Sequence, residues 1–300
     1  MNNKYVFVGD DNSINIELIC NSFNKLKSIT NYIIIGEIKN FRNYQNKIGS
    51  KIEINEILNP YDFSKCKTNK LNFFNIPNDK TKKIDNLINQ INISNFLCNK
   101  TKNDLITLPI NKFLFKRDIE FNGMTEYLGQ INSKKTIMLM HGEKFSIIPL
   151  TTHINPKDIH KIIKKPILKL RINEILKLIK FKNYHLNFNE INFICYNPHC
   201  GEKGTTGKED LIIRSLIKEN RLIKNVYPAD SAFNSIKSKS LYISTYHDQA
   251  LIPFKILNKK GLNLTLGLKY RRISPAHGTA TDIKYKNISN NESYISCMKF

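Results

Sequence analysis

The sequence predicts an α/β protein with a parallel sheet, and two observations carry that prediction. The chain opens strand, helix, strand. Residues 5–8 are a β-rich run ending at Gly9-Asp10, residues 14–27 bring Ile16, Ile19, Cys20, Phe23 and Leu26 round at helical spacing, and residues 31–36 are an apolar run closed by Gly36. Farther on, the apolar runs 145–150, 191–195 and 241–244 each lead into a short polar segment holding a histidine: His153, His199 and His247. Runs of this length between turn signals read as buried strands, so each histidine stands just past a strand's C-terminal end, where open α/β sheets bind their ligands.

The elements follow in order. Residues 40–80 are polar and irregular, with 52–58 as a candidate strand, and 81–97 carry a helical pattern. Asp104-Leu-Ile-Thr-Leu-Pro109 reads as a strand leading into the polar Asn111-Lys112. Past residue 120 the pattern changes. Runs 135–140 and 145–150, split by His141-Gly-Glu-Lys144, predict a β-hairpin, and Pro156 suits the first turn of a helix opening at Asn155. Residues 172–181 and 209–219 read as helices, 191–196, 241–244 and 262–267 as strands, and 292–300 as a last helix.

A length of 300 residues allows two domains, and a 41% hydrophobic content supplies a core. The first domain is expected at residues 1–120 plus about 278–300. The second, 121–277, would carry the histidines and most of the substrate-binding residues. Six cysteines without a CxxC pair predict free thiols in a cytoplasmic protein. There is no signal-peptide pattern and no membrane-spanning run. The formal charge of +22 comes from lysines spread among asparagines and isoleucines, with no compact basic arm, zinc finger or aromatic RNA-binding motif. The expectation is therefore no nucleic-acid partner. A positive surface would still draw in an anionic substrate.

Three imidazoles brought to one sheet edge make a divalent-metal site with positions open for substrate, though their long spacing leaves assembly to the fold or to two subunits. One histidine alone is more often a satisfied polar residue. Downstream, Asp248, Gln249, Lys255, Asn263 and Arg272 punctuate apolar segments. Arg offers a planar fork and Lys a point charge to phosphate or carboxylate, while Asn both donates and accepts. Gly201-Glu-Lys-Gly-Thr-Thr-Gly207 before a helix reads equally as an anion cradle or a plain surface loop. Asp248, Lys112, His277 and a metal-bound water are all open as general base.

Taken together, Gly9-Asp10, Pro109-Ile-Asn-Lys112, Gly123-Met-Thr-Glu-Tyr127, Thr151-Thr-His153, Asn197-Pro-His-Cys-Gly-Glu202, Pro228-Ala-Asp230, Tyr246-His-Asp-Gln249, Asn263-Leu-Thr-Leu-Gly267, Arg272 and His277-Gly-Thr-Ala280 resemble the 4-hydroxythreonine-4-phosphate dehydrogenase (PdxA) family. The resemblance implies an isocitrate/isopropylmalate dehydrogenase-like fold, with two α/β/α lobes, a central cleft and a homodimer whose active site lies at the subunit interface. It implies a divalent metal (Zn, Mg or Co) on His153, His199 and His247, with Thr125, Lys255, Asn263 and Arg272 on the substrate. Lys255 and Asp248 are the catalytic candidates. NAD or NADP would oxidise 4-phosphooxy-L-threonine at C3, and decarboxylation would give 3-amino-2-oxopropyl phosphate, a step in pyridoxal phosphate biosynthesis.

The chain departs from the family's pattern at several points. Its first loop, Gly9-Asp-Asp-Asn-Ser-Ile-Asn-Ile-Glu17, lacks the usual prolines and later glycines. Met124 stands where a histidine is usual, Lys203 for a glycine, Thr205 for a histidine and Ala276 for an aspartate. These changes keep other readings open: a related phosphorylated sugar-acid dehydrogenase, a degenerate homologue that binds metal without turnover, or a basic nucleic-acid binder with steep salt dependence.

Overall fold

A computed structural model describes residues 3–26, 31–79, 82–111, 115, 122–180 and 182–300. Lys112, a general-base candidate, lies outside them. The chain forms two compact units, residues 1–132 with 268–300 and residues 133–267. The sequence predicts boundaries near residues 120 and 278. With the observed division, Thr125 and Arg272 belong to the first unit.

The α/β expectation holds. In chain order the first unit has β1 (Lys4–Phe7), α1 (Asn15–Leu26), β2 (Tyr32–Gly36), α2 (Ile38–Lys47), β3 (Ile54–Glu56), β4 (Leu71–Asn75), α3 (Lys83–Thr101), β5 (Asp104–Thr107) and α4 (Met124–Ile131). The second unit has β6 (Ile137–His141), β7 (Phe145–Pro149), α5 (Ile159–Ile162), α6 (Lys165–Ile179), β8 (Glu190–Ile194), α7 (Glu209–Lys218), β9 (Ile223–Tyr227), β10 (Ser240–Ser244), α8 (His247–Leu257) and β11 (Leu262–Leu266). The chain returns to the first unit with β12 (Arg272–Pro275) and α9 (Glu292–Lys299).

In the first unit the strands run β3-β4-β2-β1-β5-β12, all parallel. β1 and β2 are buried on every residue, which is why they read as continuous apolar runs. Helix α1 packs on α2 and α9, while α3 packs on β1, β2 and β5. Tyr5, Phe7, Ile33, Ile35, Leu105, Leu97, Tyr127 and Tyr270 share one core. Asp104 starts β5 fully buried between two cations, bonded to Lys4 Nζ at 2.9 Å and to Arg271 Nε at 2.7 Å.

The second unit runs β11-β6-β7-β10-β8-β9. β6 and β7 form an antiparallel pair in the register Met140↔Ile147, and β11 is antiparallel to β6. β7, β10, β8 and β9 are parallel. The chain turns from Gly267, whose φ of +106° only glycine tolerates, because a Cβ there would meet the Lys135 carbonyl oxygen at 2.2 Å.

One cysteine expectation is corrected. Cys20, Cys66, Cys98 and Cys297 are free thiols, but Cys195 and Cys200 form a disulfide with Cα atoms 5.2 Å apart. The chain after β8 curls back on itself and brings Cys200 against the strand end.

Candidate active site

Three neighbouring parallel strands, β7, β10 and β8, deliver the three histidines to one edge of the second unit's sheet. His153 lies four residues beyond Pro149, the last residue of β7. His247 is the first residue of α8, after β10, and His199 follows β8. Because β10 is the middle strand, His247 stands between the other two in strand order. Its ring lies 5.7 Å from that of His153, centroid to centroid.

His199 lies beside Asp230. Its Nδ1 is 3.9 Å from Asp230 Oδ2, with both side chains about two-thirds exposed (65% and 64%). A pair so open to water contributes little. Among the described residues no three of His, Cys, Asp and Glu are grouped to hold a metal. Of the three histidines, His153 and His247 are the pair whose rings are neighbours. The expected trio does not assemble within the single chain, because His199 rides a turn of unusual shape. His199, Cys200, Gly201, Glu202 and Lys203 all have positive φ, between 44° and 73°. A left-handed run costs each non-glycine residue about 1–2 kcal/mol, so its surroundings must enforce it.

The start of α7 enforces it. The buried Asp210 carboxylate accepts from the backbone N–H of Tyr196 at 2.8 Å, from that of Asn197 at 2.9 Å and from Asn197 Nδ2 at 3.0 Å, while Glu209 takes Asn197 Nδ2 at 3.0 Å. The amide of Gln249 ties the strand ends together. Its Oε1 accepts from Thr245 N and Oγ1, and its Nε2 donates to the Cys195 carbonyl at 2.7 Å. Thr151 Oγ1 donates to the Thr245 carbonyl at 2.9 Å. The organising roles of Asp210 and Thr151 are not apparent from the sequence pattern alone. An acid in the first turn of a helix after a glycine-rich loop was the available signal for Asp210.

The remaining candidates fall in both units. In the second, His247 Nδ1 is 2.7 Å from Asp248 Oδ1, which is exposed. Lys255 projects from α8 into solvent beside Ile252 and Ile256, 60% and 69% exposed. Asn263 sits on β11 with Oδ1 buried and unpartnered, an acceptor waiting for a donor. In the first, Thr125 is buried in the first turn of α4, and Met124 beside it packs into the apolar core. Met124 fills space where a histidine would have needed hydrogen-bond partners. Arg272, also buried, directs Nε (2.8 Å) and Nη2 (2.5 Å) to Thr107 Oγ1. His277 Nδ1 lies 2.9 Å from its neighbour's carbonyl oxygen, that of Gly278.

A cavity of about 270 Å³ opens at the C-terminal ends of β1 and β2 in the first unit. Gly9, Asp11, Glu37, Asn40, Asn78 and Lys83 are among its walls. Carboxylates and amides of this kind can accept from and donate to the hydroxyl groups of a small polar ligand.

Residues 28–300 match the family described as pyridoxal phosphate biosynthetic protein PdxA. A 4-hydroxythreonine-4-phosphate dehydrogenase from Sulfurihydrogenibium sp. is 30% identical over 98% of this chain and 95% of its own. One from Hydrogenobaculum sp. is 40% identical over 65% of this chain, a match spanning 63% of that relative. The crystal structure of 4-hydroxythreonine-4-phosphate dehydrogenase from Klebsiella pneumoniae superposes with a TM-score of 0.77 at 22% identity, covering 100% of this chain and 98% of the other.

Proposed function

The chain belongs to the PdxA family of pyridoxal phosphate biosynthetic proteins, and from that membership we propose that it is a 4-hydroxythreonine-4-phosphate dehydrogenase. The observation that carries the reading is the delivery of His153, His247 and His199 to one edge by three adjacent strands. In the proposed reaction, hydride leaves C3 of 4-phosphooxy-L-threonine for NAD or NADP, and the C3 hydroxyl proton passes to a base. The carbon–carbon bond to the carboxylate then breaks, CO2 departs, and protonation gives 3-amino-2-oxopropyl phosphate.

The residues take the following roles. Lys255 and Arg272 neutralise phosphate and carboxylate, and the guanidinium geometry of Arg272 is already fixed by Thr107. Asn263 turns its unpartnered Oδ1 to a substrate donor. Thr125 offers a hydroxyl, and Asp248 or Lys255 moves the proton. A divalent cation (Zn, Co or Mg) belongs to the reading, with His153 and His247 as donors and the histidine set completed where two copies of the chain meet. When bound, such a cation lowers the pKa of a hydroxyl it holds. The exposed Ile252 and Ile256 beside Lys255 support a homodimer with its active site at the interface. A cytoplasmic setting is part of the proposal and follows from the family reading, not from the cysteines, of which four are free and two are paired. Among the described residues no helix is long and apolar enough to cross a membrane.

The test is NADH formation from 4-phosphooxy-L-threonine, NAD and a divalent metal, comparing the unaltered protein with His199→Ala. Metal-dependent turnover that the substitution abolishes is the expected result. Absence of turnover in a folded, metal-loaded dimer overturns the assignment. Buried Met124 favours one second reading, dehydrogenation of another phosphorylated 3-hydroxy acid, which turnover with such acids would reveal.

A further inference from the structure

The loop between β1 and α1 is pinned by side chains. Asn15 Nδ2 donates to the carbonyls of Val8 (2.9 Å) and Pro109 (2.7 Å), Tyr44 Oη donates to the Ser13 carbonyl (2.8 Å), and Ser13 Oγ donates to that of Asp10. Gly9 supplies the left-handed step at φ +75°, where a Cβ would meet the Pro109 carbonyl oxygen at 2.6 Å. Two lysines reach this loop from elsewhere in the chain: Lys284, whose Nζ donates to Asn12 Oδ1 at 2.9 Å, and Lys83. Lys83, first in α3, bonds Asp10 Oδ1 at 2.7 Å and also bonds Asp11 Oδ1.

The two carboxylates differ. Asp10 is 1% exposed, and besides Lys83 it accepts the Asn12 N–H at 2.9 Å. Without the ammonium, a buried charge would lose its counter-ion, and the loop would have to move to bring the carboxylate to water. Asp11 faces the 270 Å³ cavity, where Asn40 Nδ2 also holds it, at 3.0 Å. Lys83 thus anchors on the buried acid and aims the cavity-facing one. A second carboxylate, Glu37, also lines the cavity and is itself oriented by Asn78 Nδ2 at 3.0 Å. With two carboxylates against one ammonium, the walls repel phosphate. They accept from hydroxyl groups and attract a positive ring, which is the chemistry of a ribosyl nicotinamide in its oxidised form.

We propose that Lys83 is a positioning residue that sets Asp11 in this cavity to receive the ribosyl–nicotinamide portion of the dinucleotide. The proposal rests on the dehydrogenase reading and adds to it a place for the uncharged and cationic part of the cofactor.

The experiment is calorimetric titration of the full chain with NAD, together with amide hydrogen exchange of residues 10–13 in the absence of ligand. Lys83→Met is expected to raise the dissociation constant for NAD at least tenfold and to deprotect the loop amides, leaving those of β5 unchanged. Asp11→Asn should reproduce the binding loss without the loop deprotection, and Lys83→Arg should restore both to within threefold. Unchanged NAD affinity in Lys83→Met and Asp11→Asn, with the loop loosened, overturns the positioning role and leaves a structural clamp, while the dehydrogenase reading stands. No dinucleotide binding by the unaltered protein overturns both.

Discussion

The rings of His153 and His247 lie 5.7 Å apart, one beyond β7 and the other opening α8 on the adjacent strand. In the proposed function these two imidazoles, with the Asp248 carboxylate on His247 Nδ1, are the metal donors. Losing either should cost metal affinity at least as much as losing a group that orients a ligand, about 10- to 100-fold. Competition of the protein with a chromophoric chelator for Zn²⁺ measures this for His153→Ala and His247→Ala. Equal affinity in all three proteins would remove the pair from the metal site.

Arg272→Lys should raise the KM for substrate about 10- to 100-fold. A lysine cannot reproduce the fork that Thr107 orients, and hydrogen bonds to charged groups contribute about 1.5–3 kcal/mol each. Steady-state kinetics at fixed cofactor decides it, since an unchanged KM would show that the guanidinium serves the fold alone.

Asp104→Asn removes the buried anion between Lys4 and Arg271. Two cations would then share a site that excludes water, and breaking such a set costs about 3–5 kcal/mol. A fall in the urea midpoint of the first unit's transition reads the effect. Replacing Asp104 and Lys4 together with apolar residues should cost less than Asp104→Asn alone.

The pH prediction concerns His141, on β6. Burial pulls its pKa below the ordinary 6.5. In the unfolded chain the ring titrates near that ordinary value, so between the two pKa values the unfolded state binds the extra proton. The contribution to stability is complete above about pH 6.5 and is lost as pH falls toward the folded pKa. The urea midpoint of the unaltered protein should therefore drop more between pH 7.5 and pH 5 than that of His141→Gln. Parallel curves would refute the assignment.

Strands were legible wherever burial on both faces made them unbroken apolar runs, as in β1, β2 and β10. Helix α2 was missed because its apolar residues, Ile38, Phe41 and Tyr44, are few and set among Lys, Asn and Gln. β4, Leu-Asn-Phe-Phe-Asn, was lost in the same polar stretch, and its two asparagines read as loop. At the site, the motif order located all three histidine segments. Their geometry was not readable, because the direction of His199 depends on a left-handed turn that Asp210 holds from another element. The Cys195–Cys200 pairing was hidden for the same reason.

The left-handed run from His199 to Lys203 marks where this protein keeps room for improvement. Selection has tolerated an unfavourable backbone at four non-glycine positions in a row of five. At Lys203, φ is +61° and the side chain points to solvent, so glycine should relax the turn and raise the melting temperature by a few degrees. A laboratory lineage selected for heat resistance should find that substitution early, ahead of any change in the two cores.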